Sequence, residues 1–266
     1  MTEADGAAGR RGERADVPVR DAATVVLVRD GADGIEAWML TRVTQMAFAA
    51  GMSVFPGGRV DDADAALPVV GADLRTLAAR FDCTEELAHA LLGAAVRETF
   101  EETGVLLTAP SADLAGARED VEAGRVSFGE LLRSHGLAAD ASALHAWSRW
   151  VTPKGEKRRY DARFFVAEMP AGAEAQDVTS ESSTASWLPI GAAMEEAQRG
   201  ERQLLPPTMA TLSSLQAFGT VAEAVASASA RSLAPIRPSV KVADDGTVSI
   251  ELPDGTIVPI PQSMFK

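Results

Sequence analysis

A chain of 266 residues with 38 acidic and 25 basic side chains carries a formal charge of −13, which disfavours a nucleic-acid backbone or an anionic membrane surface as partner. Its 46% apolar and 24% charged residues are ordinary globular usage, and the length admits one large core or two small ones. No apolar run reaches the roughly 18–20 residues that cross a bilayer, and the single Cys83 excludes an internal disulfide and fits a reducing, cytoplasmic setting.

Residues 1–19 begin with a polar stretch rich in Gly, Arg, Asp and Glu and without an apolar h-region, the composition of a disordered tail rather than of a signal peptide. The C-terminal Ser-Met-Phe-Lys does not match a peroxisomal address. Residues 22–29 are a short β-branched apolar run and predict a buried strand. The turn signal Asp30-Gly31-Ala32-Asp33-Gly34 then leads to a second strand over 35–42, giving a hairpin. Ser53-Val54-Phe55 runs into Pro56-Gly57-Gly58, where two glycines let the backbone come close to a ligand.

Leu74, Leu77, Ala78 and Phe81 recur at helical spacing. Asp82-x-x-Glu85 has the form of a capping box opening a helix to about Thr103. On that helix Leu87, Leu91, Ala94, Ala95 and Thr99 can face the core, and His89 is a surface or packing residue. Residues 110–146 look helical, with Ser127-x-x-Glu130 as a further capping box. Strands follow over 147–151 and 162–167, with Lys154, Lys157, Arg158 and Arg159 between them. These four either form a solvated loop or anchor a phosphate. A polar loop precedes Trp187-Leu188-Pro189, a helix starts at Met194, and Pro206-Pro207 precedes a helical stretch to about Ala230. Residues 240–252 read as a hairpin around Asp244-Asp245-Gly246.

The chemistry is concentrated in residues 97–104, Arg-Glu-Thr-Phe-Glu-Glu-Thr-Gly. In a helix, Glu98, Glu101 and Glu102 stand at i, i+3 and i+4 and share one face. Like charges so placed weaken a bare helix, and a hard divalent cation such as Mg²⁺ or Mn²⁺ reverses that sign because it prefers oxygen ligands. The competing reading is a solvated face on which Arg97 pairs with Glu101. Gly104 ends the helix, where a residue without Cβ takes the left-handed conformation cheaply.

These residues resemble the Nudix hydrolase signature Gly-x5-Glu-x7-Arg-Glu-U-x-Glu-Glu-x-Gly-U, in which U is bulky and apolar. Gly58, Arg97, Glu98, Glu101, Glu102, Gly104 and Val105 match it, and Thr99 departs at a U position. Where the pattern has its first Glu this chain has Asp64, and the Arg due at position 72 arrives at 97, so the box is split. Asp64, Glu85 and Glu86 stay open as the counterpart of that first Glu. Phe55-Pro56-Gly57-Gly58 before a split box resembles the coenzyme A diphosphatase branch. So do Leu40-Thr41-Arg42, Trp150-x-Thr152-Pro153 and Arg158-Arg159-Tyr160-Asp161-x-Arg163-Phe164-Phe165, although residues 43–50 lack the Arg that the coenzyme A signature wants.

The resemblance implies an α/β/α sandwich with a mixed sheet over 20–200, an insertion at about 62–83, a helical insertion at about 110–146 and a C-terminal α/β extension over 201–266. It implies a metal-dependent hydrolase acting on a small nucleoside diphosphate linked to another group, coenzyme A or acyl-coenzyme A included, with no DNA or membrane partner. Gly57, Glu98, Glu101, Glu102 and Glu181 would hold Mg²⁺ or Mn²⁺. Arg97 would orient the carboxylates, Glu181 or Glu98 would act as base, and Arg42, Arg158 and Arg159 would bind substrate. Within the first insertion, residues 65–82 are expected to lie outside the chemistry, so that a short Gly/Ser linker in their place would preserve some turnover, and 110–146 is expected to shape substrate choice or the interface of a homodimer. The alternatives are a hydrolase of ADP-ribose, a dinucleoside polyphosphate, a capped RNA end or NADH, and a non-catalytic ligand sensor on the same fold.

Overall fold

The computed structural model describes residues 17–42, 51–177, 182–243, 248–253, 255 and 257–259. The expected tail up to residue 16, the loop residue Glu181 and the turn Asp244-Asp245-Gly246 lie outside the described residues.

The first hairpin forms as expected. β1 (Val19–Gly31) and β2 (Gly34–Arg42) pair antiparallel around the glycine turn. β3 (Ser53–Val54) joins β2, and β4 (Gly57–Arg59) joins β1 through Ala23↔Gly58 and Thr24↔Gly57. β2 and β4 thus share one side of β1. The β1 amide of Val25 donates to the Pro56 carbonyl at 2.8 Å where the partner changes from β4 to β2. Next come β5 (Val69–Val70), α1 (Leu74–Phe81), α2 (Glu85–Thr103) and β6 (Thr108–Ala109). α3 (Arg118–Glu122), α4 (Phe128–Ser134), β7 (Ala138–Asp140), β8 (His145–Val151) and β9 (Arg159–Glu168) continue the chain. β10 (Ser182–Pro189), α5 (Ile190–Gln198), α6 (Pro206–Leu215), α7 (Val221–Ser227), β11 (Ser239–Val242), β12 (Val248–Glu251) and β13 (Ile257–Pro259) complete the described order.

The large sheet runs β10-β2-β1-β9-β8, with β1 and β9 parallel and the other pairs antiparallel. Strand alternation divides its side chains between two cores. Ala23, Val25, Leu27, Phe165 and Ala167 face α2 and α1, while Val26, Val28, Phe164 and Val166 face α5, α6 and α7. This is the expected α/β/α sandwich.

Several local readings shift. The N-cap of α2 is Thr84, whose hydroxyl accepts from the Leu87 amide at 3.2 Å, and not Asp82. Asp82 instead ends α1 at φ 50°, because the chain must turn before α2 can start. α5 begins at Ile190, four residues before the expected start, because burying Ile190 and Ala193 against the second core extends it. Pro206 and Pro207 occupy the first turn of α6, where a missing N–H costs nothing, and the stretch to 230 breaks into α6, α7 and a 3₁₀ turn.

The largest departure concerns the insertions. Residues 110–146 hold a strand as well as helices: β7 pairs parallel with β5 from the 62–83 insertion and antiparallel with β6. The Ser127 cap on α4 forms as expected. The two insertions therefore build a second sheet together and supply Leu67, Phe81, Leu132 and Ala139 to the first core.

α2 is buried on nearly all sides, since the sheet covers one face and the first insertion another. A Cβ at Gly93 would lie 2.7 Å from the Asp64 carbonyl. In an open helix Gly→Ala stabilises by about 1 kcal/mol. Here Gly93→Ala is expected to destabilise by about 1–3 kcal/mol instead, because a methyl group meets fixed backbone. Urea denaturation checks the sign.

Candidate active site

The site forms where α2 passes the β4 strand. Gly58 packs so tightly on α2 that a Cβ there would overlap the Glu98 carboxylate, so only glycine fits without displacing it. The Gly57 amide donates to Glu102 Oε2 at 3.0 Å. The structure thus brings together the glycine pair and the carboxylate helix, and it gives the Gly57 N–H a partner on that helix. Gly104, at φ 74°, caps α2 through its amide to the Phe100 carbonyl.

Arg97 ties the carboxylates into one unit. Its Nε and Nη2 donate to Asp64 Oδ1 and Oδ2 at 2.8 and 2.9 Å, a two-pronged grip that a planar guanidinium makes well. Its Nη1 donates to Glu98 Oε1 at 2.8 Å and Glu101 Oε2 at 3.2 Å, and Nη2 also reaches the Arg59 carbonyl at 3.1 Å. Asp64 is 1% exposed and accepts a further bond from the Asp61 amide. Of the three acids left open by the sequence, Asp64 is the one bonded to Arg97. Glu85 and Glu86 sit in the first turn of α2, where acids suit the helix dipole.

Burial pushes the Glu98 carboxyl above its ordinary value against the pull of Arg97, with Asp64 and Asp61 adding to the rise. Burial likewise pushes Glu101 up to about 7, against the charge and hydrogen bond of Arg97, which outweigh the smaller upward pushes of Glu98 and Asp64. On Arg97 itself burial acts downward, but Asp64, Glu98 and Glu101 reverse that and hold it above its usual range. Three acids thus share one guanidinium, an excess of acceptors over positive charge.

That excess is the test of whether a divalent cation fits. Among the described residues no three carboxylates are gathered closely enough to enclose an ion as they stand, and Arg97 Nη1 is shared between Glu98 and Glu101. The donors are nonetheless hard carboxylate oxygens on successive turns of one helix, bordering a cavity, and they fit a hard divalent ion.

The carboxylates open on a cavity of about 460 Å³. Gly57, Gly58, Glu98, Glu101, Glu102, Arg42 and Arg158 all line it. Arg159 does not. It is 8% exposed and donates to the Thr152 and Val17 carbonyls, both at 3.3 Å, fastening the start of β9. Glu181 lies outside the described residues. Three charged lining residues escaped sequence reasoning, Arg59, Glu122 and Glu156. Glu122 is held by Arg118, whose Nη1 donates to Glu122 Oε2 at 2.6 Å and to the Glu101 carbonyl at 3.0 Å. The only sequence signal for it was the Arg118/Glu122 i,i+4 spacing.

Residues 82–215 match the family described as the NUDT19 Nudix domain, and the chain belongs to the Nudix hydrolases. It is 31% identical over 184 residues to nudix hydrolase 7 of Caenorhabditis elegans, covering 66% of this chain and 54% of that protein. It is 27% identical over 267 residues to the acyl-coenzyme A diphosphatase NUDT19 of Gallus gallus, covering 76% of this chain and 69% of that protein. Against the Xenopus laevis protein of the same name it is 30% identical over 151 residues and spans only 40% of that protein's length. A crystal structure of a Nudix hydrolase from Alicyclobacillus acidocaldarius superposes with a TM-score of 0.67 at 30% identity, covering 79% of this chain and 96% of that one.

Proposed function

We propose that the protein is a divalent-metal-dependent diphosphatase that cleaves the P–O–P bond of a nucleoside diphosphate linked to another group, with coenzyme A or its acyl derivatives as substrate. The observation that carries this is the Arg97-centred carboxylate cluster beside Gly57 and Gly58, opening on a cavity that Arg42 and Arg158 also line. The printed names of the chicken and frog relatives point to the same substrate class.

Glu98, Glu101 and Glu102 would hold Mg²⁺ or Mn²⁺, which when bound supplies charge for the phosphoryl oxygens and lowers the pKa of water. Arg97 keeps Glu98 and Glu101 in register. Glu98 or Glu181 would take the proton of the attacking water, and the rise that burial gives the Glu98 carboxyl makes it a stronger base than an ordinary carboxylate. Arg158 is placed to read a phosphate by charge-assisted hydrogen bonds.

The experiment is a panel of coenzyme A, dephospho-coenzyme A, ADP-ribose and NADH, each with Mg²⁺ and with Mn²⁺, with products separated by chromatography. Coenzyme A is expected to be cut to 3′,5′-ADP and 4′-phosphopantetheine with the highest kcat/KM. No cleavage of any member with either metal defeats the diphosphatase reading, and faster cleavage of ADP-ribose replaces the coenzyme A assignment.

The raised carboxyls give a further test by linkage. Glu101 keeps its proton in the folded, metal-free protein up to about pH 7, against 4.5 for the ordinary group. Its contribution to metal-free stability is therefore present below pH 4.5 and is lost as pH rises through 7. A cation needs the ionised carboxylates, so its stabilisation follows the opposite course. The increase in Tm on replacing EDTA by Mg²⁺ should be larger at pH 8 than at pH 5.5 by about 3 °C or more. Equal increases at the two pH values contradict it.

A further inference from the structure

The carboxylate helix and the two glycines account for only part of the cavity lining. Two other stretches also border it: the start of α6, through Leu205, Pro206, Pro207 and Thr208, and the C-terminal segment, through Pro238, Val240 and Ile250. The second stretch has the construction of a wall. β11 and β12 pair with Val240 opposite Ile250, which sets both side chains on one face of the ribbon. Ser239, Lys241 and Glu251 take the other face, joined by a Lys241–Glu251 ion pair at 2.9 Å and a Ser239–Glu251 hydrogen bond at 3.1 Å.

Ile250 is 7% exposed, yet it belongs to neither hydrophobic core and borders the cavity instead. The ribbon is fastened to the large sheet just upstream. The Ile236 amide donates to the Arg149 carbonyl at 2.8 Å, and the Val151 amide donates to the Ile236 carbonyl at 2.9 Å.

The chemistry of these seven side chains narrows the occupant. Six are aliphatic, three of them prolines without an N–H, and the Thr208 hydroxyl is the one polar side-chain group among them. A nucleobase held there would leave its polar edge short of donors, which is costly away from water. A hydrocarbon chain asks for no hydrogen bonds and gains from leaving water. We propose that this wall is an apolar subsite for an aliphatic arm of the substrate, and that Val240 and Ile250 set a preference for diphosphates carrying such an arm over the same compound without it. The inference rests on the diphosphatase reading and adds the part of the substrate that the C-terminal ribbon selects.

Titration calorimetry on the full chain in EDTA, where no turnover interferes, compares coenzyme A with decanoyl-coenzyme A. The decanoyl compound is expected to bind at least about tenfold more tightly. Val240→Ser and Ile250→Ser should each reduce that advantage by about three- to fivefold and leave coenzyme A binding within about twofold of wild type. Ile250→Leu should keep it. Val240 is only half-buried, so Val240→Ser carries the test should Ile250→Ser fail to fold.

Equal binding of the two ligands by the wild type overturns the subsite, and so does an advantage that survives undiminished in Val240→Ser. The two readings fail separately. A Val240-dependent decanoyl advantage without cleavage under Mg²⁺ or Mn²⁺ upholds the subsite and defeats the diphosphatase. Cleavage of both compounds with no difference in binding does the reverse.

Discussion

A Glu102→Gln protein is expected to turn over its diphosphate substrate on the order of 10²–10⁴-fold more slowly than the wild type, while melting within about 2 °C of it. The two halves of that expectation come from the two things Glu102 does. Its Oε2 accepts the Gly57 amide and so fastens β4 to α2. A glutamine carbonyl can keep that bond. The second role is the charge it brings to the cavity, which glutamine lacks. Glu102→Ala should lose both, giving the same loss of turnover with a lower Tm. Turnover, metal affinity and thermal melts on the two variants separate the roles. Near-normal turnover in a folded Glu102→Gln protein would remove Glu102 from the chemistry.

The second large effect is expected at Asp64, which contributes no cavity-facing charge. Asp64→Ala should cost about 3 kcal/mol of stability, because it removes two charge-assisted bonds from the largely buried Arg97. Turnover should fall as well. Arg97 would then be held on that side only by the Arg59 carbonyl and would be drawn further onto Glu98 and Glu101, whose geometry the proposed reaction would use. Asp64→Asn keeps one acceptor oxygen and should fall between the two. A double-mutant cycle with Arg97→Ala, read by urea denaturation, should return a coupling of about 1–3 kcal/mol. A coupling near zero would show that the grip seen in the structure is not energetically real.

Much of this site could be read before folding, because its parts are local patterns. Arg97, Glu98, Glu101 and Glu102 lie within two turns of one helix, and Phe55-Pro56-Gly57-Gly58 announces a close backbone approach by composition alone. Asp64 could not be assigned that way. Its distance from Arg97 in the chain is set by an inserted segment, and the two side chains meet only in the folded protein, where the Asp64 carbonyl lies close over Gly93 of α2. The insertions were misjudged for the same reason. Val69–Val70 and Ala138–Asp140 are too short to show a strand period, and they become strands only by finding each other. Once paired they are no surface ornament, since Phe81 is 0% and Leu67 5% exposed. Replacing residues 65–82 by a flexible linker would therefore remove Leu67 and Phe81 from the first core, a cost that the segment's place in the chain does not reveal. Arg159 shows a complementary blindness. A run of basic residues looks like one cluster in sequence, but Arg158 sits in the bend before β9 and lines the cavity, while Arg159 opens the strand and holds backbone carbonyls.

The parallel pairing of β1 with β9 also bears on how the chain is made. Asp21 and Arg163, joined across these strands, are 142 positions apart. A nascent chain leaving the ribosome therefore presents the apolar face of β1 long before its central partner is synthesised. Closing so long a loop is the slow kind of step in folding, and an unpaired apolar strand is a site of aggregation while it waits. The hairpin with β2 and β4 gives β1 one early neighbour from nearby sequence. It protects one edge of the strand and places the glycine loop first, so that the carboxylate helix arrives to find its counterpart already formed.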